Sequence, residues 1–384
     1  MKIAVIGRGT SSIITTLVCL SRGHSVEIFY DPQTPPVDVG ESTTPHIGNL
    51  IFKTLDICVG ELVDRDICAF KNGNYFLDWG VGKPFKHHFF NETAFQFNTI
   101  KFNQHLHSIL KENGVIYHPV RIDEYSYLFN ERKVLINGIK YDFLISCSGW
   151  KESDEYISPP IETVNSAILF QKNHIEDPLY TAHRATEDGY QFELPFPKKN
   201  SSNCGYLFNR KYCDPNQILE KMKLEYPDCR KIEWNPQYSK KLIQNELEAY
   251  NGNRLFFVEP LQALTLRFYE VFAHYICDFV ENTSYKCFAE SNLSYMRRMY
   301  SYFETLSYHY KFGSIYESSF WKGIKEQSIN FLSFNQNVLD LEVFKQNILH
   351  YKRTNGAENY ATIGTFDVLS LKDIYEGMTG KSLF

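Results

Sequence analysis

The first residues whose types and spacing could do chemistry form a glycine-rich turn near the start of the chain, Gly7-Arg8-Gly9-Thr10-Ser11-Ser12. A β-branched strand pattern precedes the turn, and an apolar helical pattern follows it. Glycines permit a tight turn, and N–H groups at the start of a helix can hold a pyrophosphate. Asp31, just past a second predicted strand at 26–30, is placed to accept a ribose hydroxyl. The segment predicts a dinucleotide site. Because Ser12 replaces the third glycine of the usual motif, a structural turn is the alternative.

A second polar segment, Val39-Gly40-Glu41-Ser42-Thr43-Thr44-Pro45, places a glycine and several hydroxyls before a predicted helix at 45–55. Ser or Thr before Pro is a common N-cap, so a structural role is one interpretation. The other interpretation is a loop whose backbone lies against a cofactor.

A larger α/β framework has to position these segments. The order strand, glycine turn, helix, strand is a βαβ unit, whose crossover makes its two strands parallel. Short alternating strands from about 150 to 250 predict an antiparallel sheet that covers the first part. Further predicted elements are strands at 69–79 and 143–149 and helices at 103–113, 264–310 and 339–350.

The chain has no internal repeat and no clear linker, and 384 residues are enough for a large buried core. We therefore predict a single compact body over 1–384. Within it, a cofactor-binding module takes about 1–150 plus 250–285, and a substrate-covering region takes about 151–249 plus 286–384.

The bulk composition argues against several function classes. The net charge of −5 comes without a basic stripe or tail, so we expect no nucleic acid and no membrane as partners. Nine cysteines without a C-x-x-C pair, and an isolated His87-His88 pair that we take for surface residues, predict no metal site. We expect no signal segment and a cytoplasmic location. The 16% of aromatic residues suits an aromatic-lined pocket, and a Phe- and Tyr-rich core is the alternative.

Seven motifs follow one another along the chain, namely GRGTSS, VGESTTP, FKNGNYFLDW, LISCSG, GYQFELP, EPLQALT and HYKFGSIYESSFW. In this order they resemble the flavin-dependent halogenases of the tryptophan-halogenase family, from residue 1 to at least 327. The resemblance implies a Rossmann-like FAD-binding sheet of the glutathione-reductase or hydroxybenzoate-hydroxylase type, with C-terminal helices. It implies FAD held by both glycine-containing segments and by Gly149, at the end of LISCSG. The chain is short for the family, which favours a viral member acting in the host cytoplasm.

The resemblance also implies a mechanism. In the family, reduced FAD, oxygen and a halide give hypohalous acid, which travels to a separate aromatic substrate. A lysine hydrogen-bonds that oxidant or forms a haloamine with it. That lysine corresponds to Lys71. An ammonium facing a dry aromatic cavity can donate to hypohalous acid, and burial would depress its pKa toward neutrality. A surface lysine is the alternative. Since no second nucleotide loop is visible, the resemblance implies a separate flavin reductase as a transient partner.

GYQFELP carries Tyr190 and Phe192 where the family usually has two tryptophans, and it ends at Pro195. In the family these residues separate the flavin from the organic substrate. We therefore expect Tyr190, Phe192 and Pro195 to shield the flavin or line the substrate pocket, together with Trp79 on the lysine strand. A plain alternating strand is the alternative that the pattern alone leaves open.

EPLQALT departs most from the family. Gln262 stands where tryptophan-specific members have a general-base Glu, and an amide cannot accept that proton. Phenol-type members also lack this Glu, so the change favours an electron-rich aromatic substrate over free tryptophan. The family binds halide with backbone N–H groups that correspond to Leu264 and Thr265. Thr in place of Gly is expected to restrict φ there, and bromide or iodide is favoured over chloride because both are easier to oxidise.

Two other functions remain open. An aromatic monooxygenase on the same fold typically has Gly-Asp before the final helix, where this chain has Glu259-Pro260. A catalytically inactive flavin-binding protein is compatible with Gln262 and Ser12, whereas the intact Lys71 weighs against it.

Overall fold

The computed structural model describes residues 1–34, 40–89, 92–149, 154–333, 341–353, 366 and 368–383. The predictions for Val39 and Trp150, and part of the loop before Gly40, lie outside the described residues. The chain groups into two compact units. The first unit comprises Met1–Phe70, Ala94–Ser158 and Gln237–Met296, and the second comprises Lys71–Thr93, Pro159–Pro236 and Arg297–Phe384.

The strands, in chain order, are β1 (Lys2–Ile6), β2 (Ser25–Phe29), β3 (Glu41–Ser42), β4 (Cys68–Lys71), β5 (Gly73–Leu77), β6 (Phe85–His88), β7 (Ala94–Phe97), β8 (Ile116–His118), β9 (Ser126–Leu128), β10 (Lys133–Ile136), β11 (Ile139–Tyr141), β12 (Phe143–Ser146), β13 (Tyr156–Ile157), β14 (Ser166–Lys172), β15 (Tyr180–Thr186), β16 (Gly189–Phe196), β17 (Ser201–Phe208), β18 (Arg230–Glu233), β19 (Gln237–Ser239), β20 (Ile243–Asn245), β21 (Glu248–Tyr250) and β22 (Phe256–Phe257). The helices are α1 (Thr10–Ser21), α2 (His46–Leu55), α3 (Val59–Asp64), α4 (Thr99–Glu112), α5 (Pro215–Glu225), α6 (Leu264–Glu281), α7 (Tyr285–Tyr310), α8 (Ser319–Leu332), α9 (Leu341–Arg353) and α10 (Val368–Thr379).

The first unit is built around a sheet with the order β20-β21-β12-β1-β2-β8. β1 pairs in parallel with both β2 and β12, and β12 and β2 continue the parallel pairing to β21 and β8. Ile3, Ala4 and Val5 in the central strand are all fully buried, as expected for a parallel strand covered on both faces. The predicted βαβ unit and α/β fold class are therefore confirmed.

A three-stranded antiparallel meander, β9-β10-β11, packs against this parallel sheet. Val134, Ile136 and Tyr141 of the meander contact Ala4 and Leu144 of the sheet in one buried apolar cluster. On the helical side, α1 packs against α2, α4 and α6. The parallel strand ends are thus held rigidly at the edge where the glycine turn leaves β1.

The second unit contains a sheet with the order β18-β14-β17-β16-β15-β5-β6. Its pairings are antiparallel except for the parallel pair of β5 and β15. Helix α5 packs on β14 and β17, where Ile168 and Phe208 are buried with Ile218 and Met222. This confirms the predicted antiparallel sheet and C-terminal helices. Strands β5 and β6, predicted within the first module, belong to this sheet because β5 pairs with β15 rather than with the parallel strands.

Two predicted elements are each divided in the structure. The strand predicted at 69–79 is two strands, β4 and β5, and the helix predicted at 264–310 is α6 followed by α7. Among the described residues, no helix is both long and apolar enough to span a membrane. The same residues contain no cluster of His, Cys, Asp and Glu that could hold a metal ion.

Candidate functional site

The glycine turn leaves the parallel sheet at the carboxyl end of β1, where ligands of such sheets usually bind. The Gly7 N–H donates to the carbonyl of Phe29 over 2.8 Å, which extends the β1–β2 ladder by one residue. Gly7 has φ +127°, and a Cβ there would come within 2.6 Å of the Cys147 carbonyl oxygen. Glycine is therefore required at position 7 by both conformation and space.

Gly9 is the N-cap of α1, and no side chain caps this helix end. A Cβ built on Gly9 would meet no other described atom within 4 Å, so open space lies over the turn. The first N–H groups of a helix have no intrahelical acceptor and favour an anion. The Ser12 hydroxyl donates to the Gly9 carbonyl over 2.8 Å, so serine reinforces the turn where the usual motif has glycine.

Helix α4 contributes two residues that sequence reasoning missed. Asn103 accepts a hydrogen bond from the Thr10 hydroxyl over 3.2 Å, and among the described residues its amide nitrogen has no partner. His107 Nε2 lies 3.1 Å from the Arg8 carbonyl oxygen, and burial lowers the pKa of His107 to about 4. Asn103 and His107 are four residues apart on the buried side of an amphipathic helix, and this spacing of two polar residues was the available signal.

The second polar segment is held by Thr43 rather than by a helix cap. Thr43 exchanges hydrogen bonds of 2.9 to 3.1 Å with the backbone of Phe95, through both its N–H and its hydroxyl. The N-cap of α2 is Pro45, which forms no side-chain cap, so the N-cap interpretation is wrong. Gly40 has φ +67° and Ser42 is buried.

Glu41 lies in the same segment, and burial raises the pKa of its carboxyl to about 7, against an opposing contact with the Thr10 hydroxyl. Its Oε2 has no hydrogen-bond partner among the described residues. A buried carboxyl oxygen without a partner next to the start of α1 is a position where a polar ligand group would be satisfied.

The surroundings of Asp31 and Gly149 are less specific for a cofactor than those of the glycine turn. Asp31 follows β2 as predicted, but its carboxylate accepts from the Gln33 N–H over 2.8 Å and the Thr34 hydroxyl over 3.0 Å. It therefore stabilises a local turn in the structure, as aspartate often does. Gly149 is exposed, two residues beyond the Cys147 carbonyl that faces Gly7.

The residues of the first unit fit FAD. An uncapped helix end and the open space over Gly9 suit a pyrophosphate, and the unpaired atoms of Glu41 and Asn103 offer further polar contacts. Gly252 also approaches the turn, because a Cβ there would lie 2.3 Å from the Ser11 hydroxyl oxygen.

The EPLQALT segment ends in a strained entry to α6. Gln262 has φ +64° and Ala263 has φ +56°, and neither is glycine. Leu264 and Thr265 lie in the first turn of α6, whose N–H groups have no acceptor within the helix. Thr265 therefore has helical backbone, and the positive φ values fall three and two residues earlier, at Gln262 and Ala263. Gln262 is buried.

Lys71 is fully buried within the second unit. Burial lowers its pKa to about 7, and its Nζ lies 5.3 Å from the centroid of the Phe89 ring. The backbone of Asn72, the next residue, donates to Leu179 and accepts from Phe89, each over 2.8 Å, which fixes this point of the chain. The surface-lysine alternative is therefore wrong.

Two of the predicted shield residues, Trp79 and Tyr190, belong to an aromatic cluster of the second unit. Trp79 is fully buried, with its ring centroid 5.8 Å from that of Tyr190 and 5.1 Å from that of Trp321. Its Nε1 has no acceptor among the described residues. The Phe192 ring lies over Gly205, where a Cβ would approach it to 2.4 Å. Pro195, three residues further along β16, is also buried.

Three buried histidines, which sequence reasoning did not place in the site, lie in the same unit. His183 and His309 both stack against Phe76, at 5.4 and 5.6 Å between centroids. Burial lowers the pKa of His183 well below its usual value, and nearby Lys71 and His309 lower it further. His87 is also buried, so its assignment to the surface was wrong, because it faces inward from β6 toward Phe366. His88 is exposed.

Geometry thus defines an α/β protein with a dinucleotide-type turn in one unit and a buried lysine among aromatic and imidazole rings in the other. Residues 2–126 and 91–338 match the model of the family described as tryptophan halogenase. The chain therefore belongs to the tryptophan halogenase family of flavin-dependent enzymes, as the seven motifs predicted. No curated protein matches the sequence significantly.

Solved structures of similar fold include three halogenases. SttH, a tryptophan 6-halogenase from Streptomyces toxytricini, has a TM-score of 0.81 at 17% identity, over 99% of this chain and 91% of its own. Xcc4156, a flavin-dependent halogenase from Xanthomonas campestris, has a TM-score of 0.81 at 14% identity, over 98% of this chain and 88% of its own. BrvH, a flavin-dependent halogenase from Brevundimonas sp. BAL3, has a TM-score of 0.77 at 16% identity, over 98% of this chain and 89% of its own. At these identities the likeness shows the fold.

Proposed function

We propose that this chain uses reduced FAD, oxygen and a halide to form hypohalous acid and to halogenate an electron-rich aromatic substrate. The observation that carries the proposal is Lys71, an amine that is fully buried and has a pKa of about 7. Lys71 also stands at the position of the family's catalytic lysine in FKNGNYFLDW, and strongly shifted pKa values are concentrated at functional sites.

FAD would be held by the glycine turn, with its pyrophosphate at the uncapped start of α1 and over Gly9. Glu41 and Asn103 would contribute polar contacts, and Gly7 keeps the turn close to Cys147. When bound in its reduced form, FAD supplies the electrons that convert oxygen and halide into hypohalous acid. A separate reductase would deliver reduced FAD.

Lys71 would act on hypohalous acid by donating a hydrogen bond from its ammonium to the oxygen. This polarises the oxygen–halogen bond, so the halogen becomes more electrophilic, and a proton can pass to the leaving oxygen. With a pKa of about 7, the amine both holds this proton near neutral pH and releases it readily. The surrounding rings exclude water, which strengthens the hydrogen bond.

The halide would bind at the start of α6, where Leu264 and Thr265 offer backbone N–H groups and the helix dipole favours an anion. We favour bromide or iodide, because their oxidation is easier than that of chloride. Gln262 cannot accept the ring proton, so the substrate should be activated by its own substituents, as in a phenol or aniline. Tyr190, Phe192 and Trp79 would pack against its ring.

The test is Lys71→Ala, assayed with FAD, a flavin reductase, bromide and an unactivated aromatic ring, in the presence of a hypohalite scavenger. We expect halogenation to stop, while FAD affinity and oxygen consumption stay close to wild type, because the lysine acts after hypohalous acid has formed. Lys311→Ala is the matched control. Lys311 also has a pKa lowered to about 7 by burial, but its Nζ lies 4.0 Å from the Tyr308 ring centroid.

Wild-type turnover by the scavenged Lys71→Ala variant would show that Lys71 is structural and that the proposed mechanism is wrong. Equal loss in Lys71→Ala and Lys311→Ala would also count against it, because that result would indicate a shared folding defect.

A further inference from the structure

A ring that receives an electrophilic halogen must lose a proton, and Gln262 offers no base for it. We propose that His183 accepts this proton through its Nδ1, an inference that rests on the proposed function. His183 lies in β15 of the second unit, the same unit that contains Lys71.

The imidazole of His183 is held in one orientation. Its Nε2 lies 3.3 Å from Oδ1 of Asn74, a buried side chain on β5, which is the neighbouring strand. Its ring stacks on Phe76 with an interplanar angle of 26°. When Nε2 carries the hydrogen and donates to Asn74, Nδ1 is left with a lone pair directed away from that contact.

The protein provides no hydrogen-bond partner for Nδ1 of His183 among the described residues. Yet His183 is almost completely buried. Buried polar atoms are rarely left in this state unless a ligand or water completes them. Trp79 Nε1 and Ser307 Oγ, both in the second unit, are buried without a described partner as well.

His309, the other histidine that packs against Phe76, differs at this point. His309 Nδ1 lies 2.8 Å from the Thr305 carbonyl oxygen, within one turn of α7, and so carries its hydrogen there. Its Nδ1 cannot accept a proton while that hydrogen bond persists. The orientation of His183, by contrast, leaves its Nδ1 available as an acceptor.

Lys71 lies close enough to His183 for its charge to disfavour a second positive charge on the imidazole. This proximity keeps His183 neutral before the reaction and lets the two groups share a proton during it. Loss of a proton from a halogenated cationic ring is strongly downhill, so even a weakly basic imidazole is an adequate acceptor.

The step balances as follows. The ring carbon forms a bond to the halogen as the oxygen–halogen bond of hypohalous acid breaks, and the oxygen leaves as water after taking a proton from the Lys71 ammonium. The ring C–H bond then breaks, its electron pair restores aromaticity, and the proton goes to Nδ1 of His183. Proton transfer from His183 to the neutral Lys71 amine restores both groups. The net reaction consumes arene and hypohalous acid and yields haloarene and water.

The test compares a ring-deuterated phenol with its undeuterated form in wild type and in His183→Gln. In wild type, loss of the ring proton is fast, so the isotope effect on turnover should be close to unity. In His183→Gln, turnover should fall about 100-fold, the usual contribution of a general base. Proton loss then limits the rate, and a clear primary isotope effect should appear. Added imidazole should restore turnover in His183→Gly.

His309→Gln is the matched control, since it removes an equally buried imidazole that also stacks on Phe76. It should show no isotope effect, whatever its turnover. FAD affinity and the unfolding midpoint check each variant, and His183→Asn replaces His183→Gln if the latter does not fold.

Each outcome separates the two proposals. A wild type that halogenates no phenol or aniline overturns the proposed function. A wild type that halogenates, combined with His183 variants that show neither an isotope effect nor rescue by imidazole, overturns only the assignment of His183.

Discussion

Lys71→Met should make the protein more stable and inactive at once. Burial lowers the pKa of Lys71 from 10.5 to about 7, which corresponds to a cost of about 5 kcal/mol for keeping the amine buried below about pH 7. Methionine has a similar length and no charge. It loses the contact of Nζ with the Phe89 ring and the other interactions of the lysine, so we expect a net gain of about 1–3 kcal/mol.

The pH dependence identifies the cause of this gain. Because the pKa is depressed in the folded state, the unfolded chain binds more protons between about pH 7 and 10.5. Wild type therefore gains stability as pH rises through this window, and Lys71→Met does not share that contribution. The stability difference between them should be largest near pH 7 and shrink toward pH 10.

Urea unfolding of wild type and Lys71→Met, followed by tryptophan fluorescence at pH 7 and at about pH 9, measures the difference. The stability difference between wild type and Lys311→Met should also shrink as pH rises, because burial lowers the pKa of Lys311 to about 7 as well. Lys311→Met should nevertheless keep halogenase activity. A stability difference that is the same at both pH values, or a Lys71→Met protein that is less stable throughout, would refute the argument.

Three further predictions concern the cofactor turn, the entry to α6 and the substrate. Gly9→Leu should abolish FAD binding in a fluorescence titration without unfolding the protein, since the new side chain enters open space over the turn. The control variant Gly60→Leu should bind FAD normally. Retained affinity in Gly9→Leu would count against the FAD assignment. Ala263→Gly should raise the free energy of unfolding by about 0.5–1 kcal/mol, because it relieves φ +56°, and a loss of stability would contradict this. Electron-rich phenols or anilines should be halogenated faster than free tryptophan in a mass-spectrometric screen with three halides, and efficient, regiospecific tryptophan halogenation would overturn that preference.

Local patterns in the sequence predicted the framework of the first unit well. The strand at Lys2–Ile6, the helix after the glycine turn and the helix ending at Leu55 are all present, because side-chain periodicity and glycine placement act over a few residues. The N-cap hypothesis failed for a different reason. Thr43 forms its hydrogen bonds with Phe95, which is far away in sequence and could not be paired with it by pattern.

The surroundings of Lys71 could not be predicted from local patterns. His183 lies opposite Phe76 because β5 and β15 pair in parallel, and the two strands are separated by more than a hundred residues. Phe192 could be assigned to an alternating strand, but its position depends on Gly205 in the next strand. Such contacts depend on strand register, which a single sequence does not encode in any short window.

The amide of Gln262, which stands where tryptophan-specific members of the family have Glu, is compatible with the low pKa of Lys71. A carboxylate beside a buried ammonium raises the pKa of the amine and binds its hydrogens in an ion pair. In the proposed mechanism a neutral imidazole accepts the ring proton without either effect, and the charge of Lys71 in turn disfavours a second positive charge on His183. The pair can therefore give one proton and take another while carrying a single positive charge in a buried environment. Burial and the charge of Lys71 lower the pKa of His183, so its imidazole is a weak base. A weak base favours an electron-rich ring that is halogenated readily and needs little further activation.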